Sequence, residues 1–256
     1  MKILITGANG QLGKAVIKNK PKNYDLIITS KDELDISNKS ACFETILFHK
    51  PDWIINCAAY TAVDKAEENK EIVFSANTEA VGNICKVLDI YGGKLLQIST
   101  DYVFDGRNYL PYKPDDIRNP INVYGQSKFE AEKIVEEKLF SSSRGIILRT
   151  SWLIGETGDN FALKIFKRLH KNETLNIVDD QIGSPTSTFS LSSLCWQIIK
   201  ESELIDSLDI PKIIHWSNAG WASWYDIAIA IRDISIEQNL LKNPPDINPI
   251  KSDMYK

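Results

Sequence analysis

Over the first 150 residues, short wholly apolar runs alternate with longer amphipathic stretches. Ile3-Leu4-Ile5, Leu26-Ile27-Ile28, Trp53-Ile54-Ile55, Leu95-Leu96-Gln97-Ile98 and Ile146-Ile147-Leu148 read as strands. Residues from Gln11 to about Asn19, from about Ser40 to His49, from about Ile72 to Tyr91 and from about Gly125 to Leu139 read as helices. A strand that does not alternate is buried on both faces, and strands separated by helices pair in parallel. The pattern therefore predicts an α/β fold built on a doubly wound parallel sheet. After Thr150 it weakens. Helices are expected at about 160–170, 189–200 and 224–238, with turn-rich segments such as Asp179 to Pro185 between them. A small, less regular C-terminal lobe is expected there. Residues 1–150 would form the dinucleotide-binding core, and 151–256 would be mainly a substrate-binding lobe, interleaved with the core and closing over the ligand edge of the sheet.

Composition narrows the class. The 256 residues are 43% hydrophobic and 25% charged with a net charge of -4, which suits a globular protein and gives no basic footprint for nucleic acid. Cys42, Cys57, Cys85 and Cys195 form no C-x-x-C pair, so neither a metal site nor a disulfide scaffold is expected and reduced thiols favour the cytosol. Cys57 lies in an apolar run and reads as a small buried hydrophobe. The apolar start ends at Ile5, too short for a signal peptide, and no run approaches a membrane span. No membrane or nucleic-acid partner is expected.

Gly7-Ala8-Asn9-Gly10-Gln11-Leu12-Gly13 follows the first strand and opens the first helix. In G-x-x-G-x-x-G, one Gly makes a tight turn, one admits a pyrophosphate to the backbone, and one packs helix on strand. The helix N-terminus then offers free N–H groups to the anion. An ordinary strand-to-helix turn is the plain alternative for a glycine triplet alone. The second strand ends in Thr29-Ser30-Lys31 with no carboxylate at its tip, so Ser30 and Lys31 suit a 2′-phosphate and favour NADPH, with NADH possible. Lys31 also reads simply as a solvated surface charge. Asp35 and Ile36 would flank the adenine.

Tyr124-Gly-Gln-Ser-Lys128 gives Y-x-x-x-K, and positions i and i+4 share one helix face. An ammonium and an oxidised nicotinamide both favour phenolate, which makes the Tyr an acid–base group. It can protonate a carbonyl oxygen while hydride adds to the carbon. Ser99-Thr100-Asp101-Tyr102 follows the fourth strand, at the ligand edge, where a hydroxyl can bond the substrate oxygen. Each feature has a bland reading, a turn cap or a surface pair. Glycine loop, hydroxyl and Y-x-x-x-K in that order are much harder to reach by chance.

GANGQLG, NCAAYTAVDKAE, STDYVFDG, NVYGQSK, RTSWLIG and DDQIGSPT together resemble, in order, the dTDP-4-dehydrorhamnose reductase family of extended short-chain dehydrogenases/reductases. The resemblance runs from Met1 to about Ile250. It implies a Rossmann fold and NAD(P)H-dependent reduction of the C4 ketone of dTDP-4-dehydro-L-rhamnose to dTDP-L-rhamnose. By this resemblance Tyr124 would donate the proton, and Lys128 would be its partner and hold the nicotinamide ribose. Thr100 would bind the 4-oxygen. Ala58, Ala59, Thr61 and Ser99 would lie along the cofactor, with Gly7, Asn9, Gly10, Gln11, Leu12 and Gly13 at its phosphates. Val63 would sit near the sugar pocket. Asp101 and Trp152 would contact the sugar, with Tyr102 in the same substrate-binding segment, and Asn160, Gln181 and Pro185 would approach the nucleotide half. Trp152 also reads as a core aromatic.

Related sugar-nucleotide 4,6-dehydratases carry Asp-Glu after the Thr, whereas this chain has Asp101-Tyr102 and lacks one group for elimination. The resemblance also implies an Arg-Pro-rich segment beyond Asp253-Met254-Tyr255-Lys256, where the sequence stops. In some bacterial members an acidic residue on the first helix links a dimer through magnesium. Ala15 stands at that position, so a monomer or weak homodimer is expected. Two other readings stay open: a reductase or epimerase of another nucleotide-linked keto sugar, and a non-catalytic regulatory subunit of the same fold.

Overall fold

The computed structural model describes residues 1–204 and 210–255. They form two compact units, Met1–Thr150 with Leu191–Trp216, and Ser151–Ser190 with Ser217–Lys256. The first opens with β1 (Lys2–Thr6), α1 (Gln11–Lys18), β2 (Asp25–Thr29), α2 (Lys39–His49) and β3 (Trp53–Asn56). Next come α3 (Val63–Ala66), α4 (Lys70–Phe74), α5 (Ala80–Tyr91), β4 (Lys94–Thr100), α6 (Val123–Leu139) and β5 (Gly145–Thr150). The second unit begins with β6 (Leu153–Ile154), α7 (Phe161–His170), β7 (Leu175–Val178), β8 (Ile182–Gly183) and β9 (Thr186–Ser187). The chain continues through α8 (Thr188–Leu204) and β10 (Ile213–His215), then β11 (Ala222–Ser223), α9 (Trp224–Glu237) and β12 (Ile247–Ile250).

The first unit is a six-stranded sheet in the order β10-β5-β4-β3-β1-β2, parallel at every pairing. The apolar runs make this arrangement. Ile3, Leu4, Ile5, Ile54, Ile55, Leu95 and Leu96 are fully buried, as strands covered on both faces must be. One face holds Leu4, Ile54, Leu95 and Ile147 against Ile84 and Leu88 of α5 and Val135 and Leu139 of α6. Each such side chain contributes about 1.5–3 kcal/mol. Within the same unit α1 meets the later part of α8, where Trp196 Nε1 donates to the Val16 carbonyl at 2.9 Å and Asn19 Nδ2 to Ser192 Oγ at 2.7 Å. The chain leaves β1 outward to β2 and returns inward to β3. The carboxyl ends of β1 and β3 are therefore the topological switch point, where open α/β sheets bind ligands.

The expected helix from Ile72 to Tyr91 is interrupted. Ser75–Glu79 is π-helical, joining α4 to α5. The wide turn carries the buried Asn77, whose Oδ1 accepts from Tyr60 N at 2.8 Å and whose Nδ2 donates to Tyr60 O at 3.1 Å and Ser127 Oγ at 2.9 Å. Hydropathy periodicity does not resolve one extra residue in a turn. It also missed α3, β10 and the two-residue strands, all too short to show a period.

In the second unit, α7, α9, β7 and β12 enclose a core of Ile165, Leu169, Leu175, Ile177, Ala228 and Ile247. β12 pairs with β7 in parallel, β11 with β8 antiparallel, and β6 with β9 in parallel. Ser223 and Asp226 form a reciprocal capping box that starts α9.

Asn77→Ala removes three bonds and strands the partly buried Tyr60 backbone groups. A loss of about 2–4 kcal/mol is expected, read as a lower urea midpoint at unchanged slope.

Candidate active site

The glycine loop closes tightly on the switch point. Gly7 has φ of 65°, and a Cβ there would lie 2.6 Å from Ala58 N. A Cβ on Gly13 would lie 2.4 Å from the Gly7 carbonyl, so α1 and the turn meet backbone to backbone. Gly10 is the N-cap of α1 and has no side chain to satisfy the first-turn N–H groups, and no acidic residue fills that turn. The helix end thus remains available to an anion. Leu12 points into the core, while Asn9 is exposed and Gln11 partly so. Beside the loop lies a cleft of about 580 Å³, lined by Gly7, Asn9 and Gly10, by Lys31, Asp35 and Ile36, and by Ala58 and Ala59. That volume and these glycines fit a dinucleotide. Thr61 is exposed and Val63, the first residue of α3, partly buried; neither lines this cleft.

Several cleft positions were not expected from the sequence, Cys57, Glu71 and Ser75 among them. Cys57 lines the cleft just beyond β3, and burial pushes its thiol up to about 12. Glu71 and Ser75 enter from α4 and the π turn. The β2 tip also differs from the sequence expectation. Glu33 folds back, and Ser30 N donates to its Oε2 at 2.7 Å, so a carboxylate does sit at the strand end. A turn directly after the strand brings Glu33, four residues past Thr29, back to the tip, which strand-end inspection cannot show.

A buried polar ladder crosses the carboxyl ends of the strands. Thr6 Oγ1 donates to Asn56 Oδ1 at 2.6 Å, Asn56 Nδ2 to Gln97 Oε1 at 2.8 Å, and Gln97 Nε2 to the Ile98 carbonyl at 2.8 Å. That carbonyl also accepts from Lys128 Nζ at 2.7 Å. Lys128 is 3% exposed, and burial draws its ammonium down to about 8 while Glu132 opposes the shift. Tyr124, one turn earlier on α6, is hydrogen-bonded by the Thr100 side chain. Thr100 Oγ1 in turn donates to Asp101 Oδ1 at 3.1 Å. Burial raises the Tyr124 phenol well above its usual value, and Asp101 and Tyr102 add to this. The Thr100 bond works the other way and is outweighed, so the balance in the protein alone favours the protonated phenol rather than the phenolate expected from Lys128. Burial pushes the Asp101 carboxyl up to about 6. Tyr102 meets the Tyr124 ring edge-on at 5.6 Å.

α6 is seated by Gly125, whose absent Cβ would lie 2.2 Å from the Tyr102 carbonyl, and by the Asn122 cap on Gly125 N at 2.7 Å. Behind it, Glu132 is fully buried. Ser99 Oγ donates to its Oε1 at 2.5 Å, Arg149 reaches it at 2.9 and 2.7 Å, and Arg118 at 2.9 Å. The Ser99 hydroxyl is thus committed to α6. Thr150 lies in register beside Thr100, and its Oγ1 is buried with no partner among the described residues.

In the second unit, Trp152 has φ of 42° and stacks on Trp224 with centroids 3.6 Å apart. Gly183 admits it, since a Cβ there would lie 2.3 Å from the indole. Gln181 accepts from Trp224 Nε1 at 3.2 Å and donates to Ser252 Oγ at 3.1 Å. Asn160 is 5% exposed and caps α7, accepting from Leu163 N at 3.0 Å and donating to Gly155 O at 2.9 Å. Pro185 is partly buried, between β8 and β9.

The family model described as "RmlD substrate binding domain" matches residues 1–256. A dTDP-4-dehydrorhamnose reductase of Aggregatibacter actinomycetemcomitans is 41% identical over 99% of this chain and 86% of its own length. The chain belongs to the dTDP-4-dehydrorhamnose reductase family. A reductase structure of this family from Clostridium acetobutylicum superposes with a TM-score of 0.89 at 35% identity, covering 100% of this chain and 86% of that one. Another, from Bacillus anthracis in complex with NADP, gives 0.88 at 35% identity over 98% of this chain and 84% of that one. Family membership agrees with the parallel sheet, glycine loop and Tyr-Lys pair seen here.

Two outcomes follow. Glu132→Ala leaves Arg149 buried and unpaired, and a loss of about 3–5 kcal/mol is expected in urea unfolding. Asp101 has a folded pKa above its unfolded value, so the native state holds the extra proton between about 4 and 6, and stability falls as pH rises through that window. Asp101→Asn is then more stable than the parent by about 3 kcal/mol at pH 7. The gap closes as pH drops toward 4, which unfolding midpoints across pH would record.

Proposed function

We propose that the protein is an NADPH-dependent reductase that converts the C4 ketone of dTDP-4-dehydro-L-rhamnose to the alcohol of dTDP-L-rhamnose. The observation that carries this reading is a partly buried Tyr124 bonded by Thr100 at the end of β4, one helical turn from a pinned Lys128. The relatives named for this reaction support the substrate. When bound, the reduced nicotinamide supplies the hydride. The chain's own residues do the rest.

Thr100 and Tyr124 hold the carbonyl oxygen, and Tyr124 gives up its proton as negative charge develops there. Lys128 keeps a positive charge near the phenol, which eases that loss. Before substrate binds, Asp101 accepts the single Thr100 hydroxyl hydrogen, which turns from Asp101 to the carbonyl oxygen when the ketone arrives. The glycine loop and the α1 N-terminus hold the pyrophosphate, with Ala58 and Ala59 along the dinucleotide. Val63, Asp101, Tyr102, Trp152, Asn160, Gln181 and Pro185 serve the nucleotide sugar, so residues from 151 onward act mainly on substrate and residues 1–150 on cofactor. Tyr102, standing where a dehydratase has Glu, leaves reduction as the chemistry. Among the described residues no helix is long and apolar enough to cross a membrane. The free thiols suit a cytosolic enzyme; Ala15 in place of an acidic residue on the first helix suits a monomer or weak dimer, and the net charge of -4 suits one without a nucleic-acid partner.

The test is NADPH consumption, followed by absorbance, with dTDP-4-dehydro-L-rhamnose. Tyr124→Phe is expected to lower kcat by about 10²–10⁴-fold while dinucleotide binding persists. No consumption by folded wild-type protein, with NADPH or NADH, would sink the assignment.

A further inference from the structure

At the β2 tip, an anion already occupies a set of donors. Glu33 Oε2 accepts from Ser30 N at 2.7 Å, and the Ser30 hydroxyl bonds the same carboxylate. Leu34 N donates to the Ser30 carbonyl at 2.9 Å and closes the turn that carries Glu33 back. The tip is fastened to the glycine loop, because Ala8 N donates to the Thr29 carbonyl at 3.1 Å. Lys31 and Asp35, on either side of Glu33, line the dinucleotide cleft. A backbone N–H, a hydroxyl and a neighbouring ammonium are the groups that would otherwise receive a phosphate.

The two forms of the dinucleotide meet this carboxylate differently. A free ribose 2′-hydroxyl is neutral and can donate to it. A 2′-phosphate needs the same donors and carries charge of the same sign, so it must displace the carboxylate or bind against its repulsion. We propose that Glu33 is a specificity-determining residue: by holding the anion seat at the β2 tip it restrains the preference for the 2′-phosphorylated dinucleotide and keeps the unphosphorylated one usable. This rests on the cofactor reading given above. A turn cap alone would affect stability and would not distinguish the two dinucleotides.

The experiment is calorimetric titration of wild type, Glu33→Gln and Glu33→Ala with NADP⁺ and with NAD⁺. Glu33 is exposed, and Gln keeps an acceptor for Ser30 while losing the charge. In both variants the ratio of the NAD⁺ to the NADP⁺ dissociation constant is expected to rise about tenfold, mostly through tighter NADP⁺ binding. If wild type binds both dinucleotides and the ratio moves by less than about twofold, the role of Glu33 is overturned and the cofactor reading stands. If folded wild type binds neither, the cofactor reading falls and takes this inference with it.

Discussion

The Ile98 carbonyl accepting the Lys128 ammonium is the bond on which the site depends. A buried charge is tolerated only when it is well bonded. Here the carbonyl is itself held by Gln97, which is held through Asn56 by Thr6, so three parallel strands share the burden. On the other side, Glu132 lies one turn along α6 and draws in Ser99, Arg149 and Arg118. The lysine thus sits between a polar ladder in the sheet and an ion cluster behind the helix. Neither flank tolerates a half-satisfied state, because stranded buried polar groups cost more than the bonds return.

Glycine decides how closely the parts of each unit approach. Gly7 lets the loop after β1 touch the backbone at Ala58, and Gly125 lets α6 touch the backbone of Tyr102. The first contact joins segments that follow β1 and β3, and the second folds the segment after β4 back on itself, both at the sheet edge where the chemistry lies. In the second unit Gly183 does the same for the Trp152 indole, which would otherwise lose its stack on Trp224. These are steric requirements first. Catalytic geometry follows, since a side chain on Gly125 would push Tyr124 away from Thr100.

Much of this was legible in the sequence. Ile3-Leu4-Ile5 and Trp53-Ile54-Ile55 could only be doubly covered strands, and the Gly7-to-Gly13 spacing marked the cradle. Tyr124 and Lys128 stood out by spacing and Thr100 by family resemblance; Tyr124 and Thr100 share a hydrogen bond, and Lys128 follows one turn along α6. What stayed hidden is lateral. Asn56, Gln97 and Glu132 sit in runs that read as ordinary strand and helix positions, and only sheet order brings the first two side by side. Ser99 was expected along the cofactor and Thr100 at the substrate oxygen, yet strand alternation sends the Ser99 hydroxyl to Glu132 and leaves that of Thr100 at the ligand edge. Glu33 was invisible at the β2 tip because a turn, not the strand, delivers it.

The π segment at Ser75–Glu79 has a consequence for what lengths this chain can take. A π turn accommodates one residue more than an α turn over the same rise. Deleting a single residue there would return the helix to α register and rotate everything on one side of the deletion by about 100°. α5 could then keep its buried face against the sheet, or Asn77 could keep its grip on Tyr60 and Ser127, but not both. Substitution is negotiable along this stretch. Its residue count is not, so a gap falling inside 75–79 would mark a sequence whose cleft wall is built differently.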